Sequence, residues 1–169
     1  MNYTIIFYIM FSFLLLFSLA IISYKLNFVD YPSKRKIHSK AVAYTGGIGI
    51  SFVLVLSIFL FDISNNNLNT IISIAFLVSI IGFIDDKTSL NVGDKLSLQI
   101  IPIFYLIIFE NITLNHIGDY DYIKLELGAF KVPFTLMCVL FLINSFNYFD
   151  GMDGTLSFVT ISVLAILYF

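Results

Sequence analysis

The 169-residue sequence is poor in charged side chains and in cysteine. Asp, Glu, Lys and Arg together make up 12% of it, and Cys138 is its single cysteine. In a soluble domain about 25% of the residues are charged, so the composition argues against that class. A lone cysteine inside an apolar stretch also excludes a disulfide framework and a cysteine-based metal site.

Three common motifs of nucleotide and metal chemistry are missing as well. The sequence contains no GxxxxGK[ST], no GxGxxG and no HExxH. P-loop, Rossmann and zincin chemistry are therefore not indicated. The net charge of −2 points to no partner by itself, and we expect no nucleic-acid partner.

Apolar residues are abundant instead, at 59% of the chain with a mean hydropathy of +0.97. This composition predicts an integral membrane protein with the lipid bilayer as its surroundings. The uncharged run 5–24 has the roughly 20 residues that cross a bilayer core. A cleaved signal peptide is the alternative, but the run exceeds the usual apolar length and no basic segment precedes it.

Apolar runs separated by polar segments predict an all-α, polytopic membrane protein with six helices. The predicted helices are 5–24, 44–61, 68–84, 94–110, 132–149 and 154–169. Pro102 lies inside the fourth, and membrane helices tolerate proline. The glycines Gly46, Gly47 and Gly49 allow close packing of the second helix, and the alternating segment Asp119–Val132 suggests a small hairpin.

Basic residues are distributed unequally between the two sides that six spans would create. One side holds seven of them: Lys25, Lys34, Arg35, Lys36, Lys40, Lys87 and Lys95. The other side holds Lys124 and Lys131. The positive-inside rule then places the first side in the cytoplasm. Three polar clusters, around Arg35–His38, Asp85–Asp86 and Asn144–Asp153, would share that cytoplasmic edge, which indicates a common site.

The adjacent acids Asp85 and Asp86 end the third predicted helix. Neighbouring carboxylates repel each other unless a cation lies beside them. Mg²⁺ suits such a place because it takes one or two carboxylates and leaves other positions for water and phosphates. The alternative is that the two acids mark a helix end in water, with Lys87 as a neighbour.

The other two clusters supply cations and amides. The loop VDYPSKRKIHSK contains five side chains suited to phosphate oxygens: Lys34, Arg35, Lys36, His38 and Lys40. For this loop taken alone, a topogenic role or a patch for anionic lipid headgroups is favoured over a catalytic role. In NSFNYFDGMDG, Asn144, Asn147 and Asp150 advance along one helix flank towards Asp153, and polar groups among membrane spans indicate a functional site.

Acidic and basic groups at one membrane edge fit a metal-dependent reaction between phosphorylated substrates. A small transporter is a rival function, yet it requires ionisable groups at mid-bilayer, whereas those of this chain lie near predicted helix ends. The residues alone identify no particular substrate.

The order of three segments resembles a known family. VDYPSKRKIHSKAVAYTGG, IGFIDDKTSLNVGDKLSLQ and NSFNYFDGMDG are similar to motifs of the polyprenyl-phosphate N-acetylhexosamine-1-phosphate transferases (glycosyltransferase family 4). The resemblance is strongest to the branch that transfers N-acetylglucosamine 1-phosphate to undecaprenyl phosphate. It covers nearly the whole chain, with the motifs in the family's order and spacing.

This resemblance implies an enzyme that transfers sugar 1-phosphate from a UDP-N-acetylhexosamine to undecaprenyl phosphate, with Mg²⁺ as cofactor and Mn²⁺ as an alternative. It implies a bacterial inner membrane location, a site that faces the cytoplasm, and the start of a cell-wall or lipopolysaccharide glycan; a homo-oligomer stays open. The implied catalytic residues are Asp85, Asp86, Asp150 and Asp153. The implied substrate-binding residues are Asp30, Arg35, Lys36, His38 and Asn144, and the implied metal ligands are Asp85, Asp86 and Asn147.

Length is the departure from the family. Its members have about ten to eleven helices, with another acidic motif and a His-containing loop in their second half. We therefore expect residues 1–169 to form a single transmembrane domain that corresponds to the N-terminal part of the transferase, without its C-terminal part. The alternative function is an inactive fragment that acts only in membrane structure or association.

Overall fold

The computed structural model describes residues 2–31, 40–120, 123–149 and 155–168. Within them the chain forms six α-helices and two small antiparallel hairpins. The helices are α1 (Asn2–Lys25), α2 (Gly46–Leu60), α3 (Asn66–Thr88), α4 (Val92–Ile108), α5 (Lys131–Phe149) and α6 (Thr155–Tyr168). The strands are β1 (Val29–Asp30), β2 (Val42–Ala43), β3 (His116–Tyr120) and β4 (Ile123–Glu126), and a 3₁₀ turn covers Gly128–Phe130.

All six predicted helices are confirmed, with ends within four residues of those predicted. Within the described residues, three helical segments are long and apolar enough to cross a membrane: Tyr3–Lys25, Asn66–Thr88 and Gly128–Tyr148. The segments Gly46–Leu60 and Thr155–Leu167 are apolar but shorter. Large apolar side chains on the helices are exposed, such as Phe13 of α1 (72%) and Phe59 of α2 (73%). The protein is an all-α membrane protein whose apolar surface suits lipid.

The chain divides into two compact units, residues 1–112 and 113–169. In the first unit α1, α2, α3 and α4 pack in sequence, each against the next. Tyr8 of α1 donates to the Val53 carbonyl of α2 at 3.1 Å, and the hydroxyls of Ser51 (α2) and Ser79 (α3) lie 2.6 Å apart. Such interhelical hydrogen bonds suit a lipid environment, where burial of apolar surface drives little helix association.

One glycine permits the close approach of α1 to α2. A Cβ atom at Gly49 would lie 2.7 Å from Cδ2 of Leu16 and 3.1 Å from Cδ1 of Leu19. Nothing lies within 4 Å of the corresponding positions at Gly46 and Gly47. Of the three glycines that the sequence singles out, Gly49 alone serves helix packing.

In the second unit a hairpin precedes α5. Strands β3 and β4 pair with Asp119 opposite Lys124 and Tyr120 opposite Ile123, which confirms the predicted hairpin and begins it at His116. Thr135, buried in α5, accepts a hydrogen bond from the Leu114 amide at 2.9 Å and donates to the Lys131 carbonyl at 2.6 Å. The segment that leads into the hairpin is thereby fastened to the first turns of α5.

Candidate functional site

The paired acids lie in the last turn of α3. The helix ends at Thr88, and the next residue, Ser89, takes a left-handed conformation (φ 53°) and donates its amide to the Asp85 carbonyl at 2.7 Å. The next helix begins after only two more residues, because Asn91 caps α4 by accepting the amide of Asp94 at 2.9 Å. This tight turn brings the first turn of α4 back beside the acidic end of α3.

The carboxylate of Asp85 is bound on both oxygens. Its Oδ2 lies 2.6 Å from Nζ of Lys95 in α4, and its Oδ1 accepts the amide of Leu90 at 3.1 Å. The ion pair is mostly shielded from solvent, with the side chains of Lys95 and Asp85 exposed by 15% and 17%. A cation therefore lies beside Asp85, and the chain itself provides it.

Asp86 occupies an exposed position next to this pair. Successive residues of an α-helix do not face each other, because each residue rotates by about 100° around the axis. The two side chains of the motif therefore leave the helix in different directions.

The segment that carries Asp30 contacts the same end of α3. The ring of Phe28 packs edge-on against Phe83 with 5.9 Å between centroids, and Nζ of Lys87 lies 4.4 Å above the Phe28 ring. Strand β1 then pairs with β2, where Asp30 is opposite Val42. Phe28, at the start of the first loop, thus lies against the end of α3 within the first unit.

Asp30 itself is oriented by an aromatic hydroxyl. The Tyr44 hydroxyl donates to Oδ1 of Asp30 at 3.2 Å, and Tyr24 of α1 donates to the Ala41 carbonyl at 2.7 Å. These bonds hold both ends of the first loop at the end of the helices. The predicted residues Arg35, Lys36 and His38 lie outside the described residues.

The third cluster belongs to the second unit. Asn144 and Asn147 are in the last two turns of α5, where Asn144 donates to the Leu140 carbonyl at 2.8 Å and Asn147 is exposed. They lie on the helix flank that their spacing predicts. Asp150 and Asp153 lie outside the described residues.

The carboxylates of Asp85 and Asp86 are of the ligand type that Mg²⁺ takes. Among residues 2–31, 40–120, 123–149 and 155–168, no three His, Cys, Asp or Glu side chains group together as a metal site. Mg²⁺ usually needs only one or two carboxylates beside water and phosphate oxygens. Because Lys95 and the Leu90 amide already bind Asp85, a cation at that carboxylate would have to share its oxygens with them.

Sequence reasoning missed the roles of Lys95, Tyr44 and Phe28. In the sequence Lys95 stands out only as one of the basic residues near the cytoplasmic loops, and Lys87 is the evident neighbour of the acids. A signal was present in the sequence: the helical runs around Asp85 and Lys95 are separated by a few polar residues, and a turn that short places their ends side by side. Phe28 carries no such signal, since its partners are distant along the chain.

The chain is similar to proteins with stated activities. The model of glycosyl transferase family 4 matches residues 68–169. A probable undecaprenyl-phosphate N-acetylglucosaminyl 1-phosphate transferase of Bacillus subtilis (strain 168) is 28% identical over 86% of this chain and 42% of the relative. The undecaprenyl-phosphate alpha-N-acetylglucosaminyl 1-phosphate transferase of Escherichia coli (strain K12) is 28% identical over 87% of this chain and 40% of the relative.

A phospho-N-acetylmuramoyl-pentapeptide-transferase of Borreliella afzelii (strain PKo) is 31% identical over 74% of this chain and 40% of the relative. No solved structure matches the chain significantly. The chain spans about two fifths of the length of these curated relatives.

The chain has several apolar helices, and one of them ends in a turn with two adjacent acids. These features define a polytopic α-helical membrane protein with a polar site at a helix end. The chain belongs to glycosyl transferase family 4, whose model covers more than half of it.

Proposed function

We propose that this chain carries the N-terminal part of a membrane transferase that moves N-acetylhexosamine 1-phosphate from a UDP-sugar to undecaprenyl phosphate. N-acetylglucosamine is the sugar named for the Bacillus and Escherichia relatives, and we propose it here. The site would face the cytoplasm of a bacterial inner membrane, where the reaction would begin a cell-envelope glycan.

The observation that carries this proposal is the position of the Asp30 segment against the acidic end of α3. Phe28 joins that segment to Phe83 and Lys87. Acidic and cationic groups from two distant parts of the sequence therefore lie at one end of the first unit. A reaction between two phosphorylated substrates needs such a mixture, because the protein must align anions and hold a cation for them.

In the proposed reaction an oxygen of the lipid phosphate forms a bond to the β-phosphorus of the UDP-sugar. The bond from that phosphorus to the bridging oxygen breaks, and UMP leaves. A phosphate with a second pKa of about 6 is largely ionised at neutral pH, so the nucleophile needs no strong base. Catalysis then depends mainly on positioning and electrostatic stabilisation.

The chain's own residues would bind and orient the two phosphorylated substrates. Arg35, Lys36 and His38 would bind phosphate oxygens, and Asp30 and Asn144 would orient the substrates. Asp85, Asp86, Asp150 and Asp153 are the proposed catalytic acids, and Asp85, Asp86 and Asn147 are the predicted metal ligands. Mg²⁺, when bound, would neutralise charge on the diphosphate.

The test is an assay of UMP release from UDP-N-acetylglucosamine with and without undecaprenyl phosphate. The full chain is expressed in membranes together with the remaining C-terminal part of the Bacillus relative. We expect UMP release that requires the lipid phosphate and is lost with Asp86→Asn. Absence of lipid-dependent UMP release, with the intact relative active in the same membranes, would refute the proposal. UDP-N-acetylmuramoyl-pentapeptide is offered as a second donor. UMP release from this donor would indicate the activity named for the Borreliella relative.

A further inference from the structure

A polar cavity lies at the base of the hairpin, within the second unit and apart from the acidic end of α3. Its volume is about 320 Å³, in the range of small-molecule pockets. The lining residues are Asn115, His116, Glu126, Gly128 and Lys131. His116 of β3 is opposite Glu126 of β4, and Lys131 begins α5. The cavity therefore combines an imidazole, an acid and a cation that come from three neighbouring elements.

The charged groups of this cavity are accessible to a ligand. His116, Glu126 and Lys131 are all exposed, and within the described part of the chain no salt bridge engages Glu126 or Lys131. A Cβ atom at Gly128 would have nothing within 4 Å, so the space beside this residue is open. A ligand can therefore approach the acid and the cation together.

The mixture of charges suits a zwitterion better than a metal ion or a simple anion. Zinc sites in proteins use at least three side-chain ligands, whereas this cavity offers His116 and Glu126, and the Lys131 ammonium would repel a metal cation. A simple anion would meet the negative charge of Glu126. A ligand that carries both an anionic group and an ammonium can form charge-assisted hydrogen bonds with both side chains.

The cavity lies where a membrane span begins. The helical segment Gly128–Tyr148 is long and apolar enough to cross a bilayer, and Lys131 is close to its start. The residues next to the lining ones in sequence include four exposed apolar ones: Leu114, Ile117, Leu125 and Phe130. Apolar side chains beside polar ones are typical of segments at the boundary between lipid chains and headgroups. Phospholipid headgroups are the zwitterions present at that boundary.

We propose that this cavity binds the headgroup of a zwitterionic phospholipid with a primary amine, of which phosphatidylethanolamine is the simplest. The phosphate binds the Lys131 ammonium at the positive end of the α5 dipole, and the amine donates to the Glu126 carboxylate. His116 and Asn115 supply further hydrogen-bonding groups. Lys131 is about 20 Å along α5 from Asn144, so the inference does not depend on the proposed function.

The test measures thermal unfolding of the full chain in detergent as phospholipid is added. The lipids are phosphatidylethanolamine, phosphatidylcholine and phosphatidylglycerol with identical acyl chains. A lipid that binds the folded chain raises the unfolding midpoint, and the rise gives an apparent affinity. Phosphatidylethanolamine should bind about tenfold more tightly than the other two, because choline has no N–H to donate and the glycerol headgroup has no ammonium. Equal affinities for the three lipids would overturn the proposal.

Single variants separate the two contacts, each compared with its own midpoint in the absence of lipid. Glu126→Gln should weaken binding of phosphatidylethanolamine about tenfold, to the level of phosphatidylcholine, and Lys131→Met should weaken binding of all three lipids about tenfold. Lys131→Arg keeps the cation and should keep the binding. Glu110→Gln is the matched control, since Glu110 follows α4 on the side of the membrane predicted for the hairpin and does not line the cavity. A loss with Glu110→Gln equal to that with Glu126→Gln would contradict the assigned site.

Soluble phosphoethanolamine distinguishes the lipid from its free headgroup. It should raise the midpoint only at concentrations about tenfold or more above those of the lipid, because it lacks the acyl chains that the exposed apolar residues beside the cavity can contact. An equal rise at equal concentration would identify a soluble ligand and overturn the lipid as the occupant.

Discussion

At the scale of single residues, Phe28 makes the aromatic contacts that join the first loop to α3 within the described residues. It packs against the Phe83 ring and beneath the Lys87 ammonium. An aromatic pair contributes about 0.5–1.5 kcal/mol beyond its buried area, and an exposed cation–π contact contributes about 0.5–1 kcal/mol. Phe28 therefore couples the position of Asp30 to that of the acidic pair.

We expect Phe28→Leu to lower the free energy of unfolding by about 1–2 kcal/mol, because both ring contacts are lost while an apolar side chain remains. Unfolding of the chain in detergent measures this loss. Phe13→Leu is the matched control, since Phe13 is 72% exposed on α1. Equal stability of the two variants would show that the loop is not held by this ring. With Lys87→Met already present, Phe28→Leu should cost less than it does alone.

A second prediction at the residue scale concerns the acidic residues of the proposed site. In membranes that also contain the C-terminal part of a relative, Asp86→Asn, Asp150→Asn and Asp153→Asn should each lower turnover about a hundredfold. Loss of a metal ligand or a phosphate-orienting group costs about 3 kcal/mol in the transition state. UMP release measures the effect, and Lys124→Ala, in a segment predicted to lie on the other side of the membrane, should be nearly silent. Near-normal turnover in all three acid variants would place the site elsewhere.

Among the elements, the contact between α1 and α2 depends on the missing side chain of Gly49. Gly49→Leu should separate the helices and lower the free energy of unfolding by about 1–3 kcal/mol, as overpacking of a close contact does. Gly46→Leu is the control, because nothing lies within 4 Å of a Cβ atom there. Unfolding in detergent distinguishes them, and the addition of Leu16→Ala should restore part of the loss at Gly49. Equal effects at the two glycines would contradict the assigned packing.

The helices were predictable because membrane spans must be both apolar and continuous, which leaves long uncharged runs in the sequence. The hairpin was predictable from its alternating residues. The interhelical contacts were not: Ser51 and Ser79 look like ordinary small residues in apolar runs, and their hydrogen bond depends on helix rotation. The acidic pair was found, whereas its binding by Lys95 was not, since charge alone does not reveal which of two nearby lysines turns towards it.

At the scale of the whole molecule, the sidedness of the predicted site can be measured directly. In a Cys138→Ser background, cysteines at Lys36 and Asp94 should be shielded from an impermeant thiol reagent added outside intact cells. A cysteine at Asn66 should react, because the seven-to-two distribution of basic residues predicts that it lies outside. If the cysteine at Lys36 reacts with reagent added outside, the topology is the inverse of the predicted one. The site would then be separated from a cytoplasmic nucleotide.

A second prediction at this scale concerns turnover by the chain alone. Because it matches about two fifths of its curated relatives, we expect residues 1–169 by themselves to release UMP far more slowly than in the presence of the relative's C-terminal part. Groups from that part would complete the binding of metal and phosphates. Equal rates in the two preparations would mean that the described helices and their loops suffice.

The fastening of the hairpin to α5 through Thr135 has a practical consequence for imaging. A chain of 19.2 kDa embedded in a detergent belt offers little contrast to electron microscopy. Leu114 is bound to Thr135 of α5, and the Leu127 amide donates to the Asn115 carbonyl at 2.9 Å. The base of the hairpin is therefore closed, and one of its ends is fastened to the helix. An antibody fragment raised against the hairpin would therefore hold a constant angle to α5 and would serve as a fiducial for aligning particles.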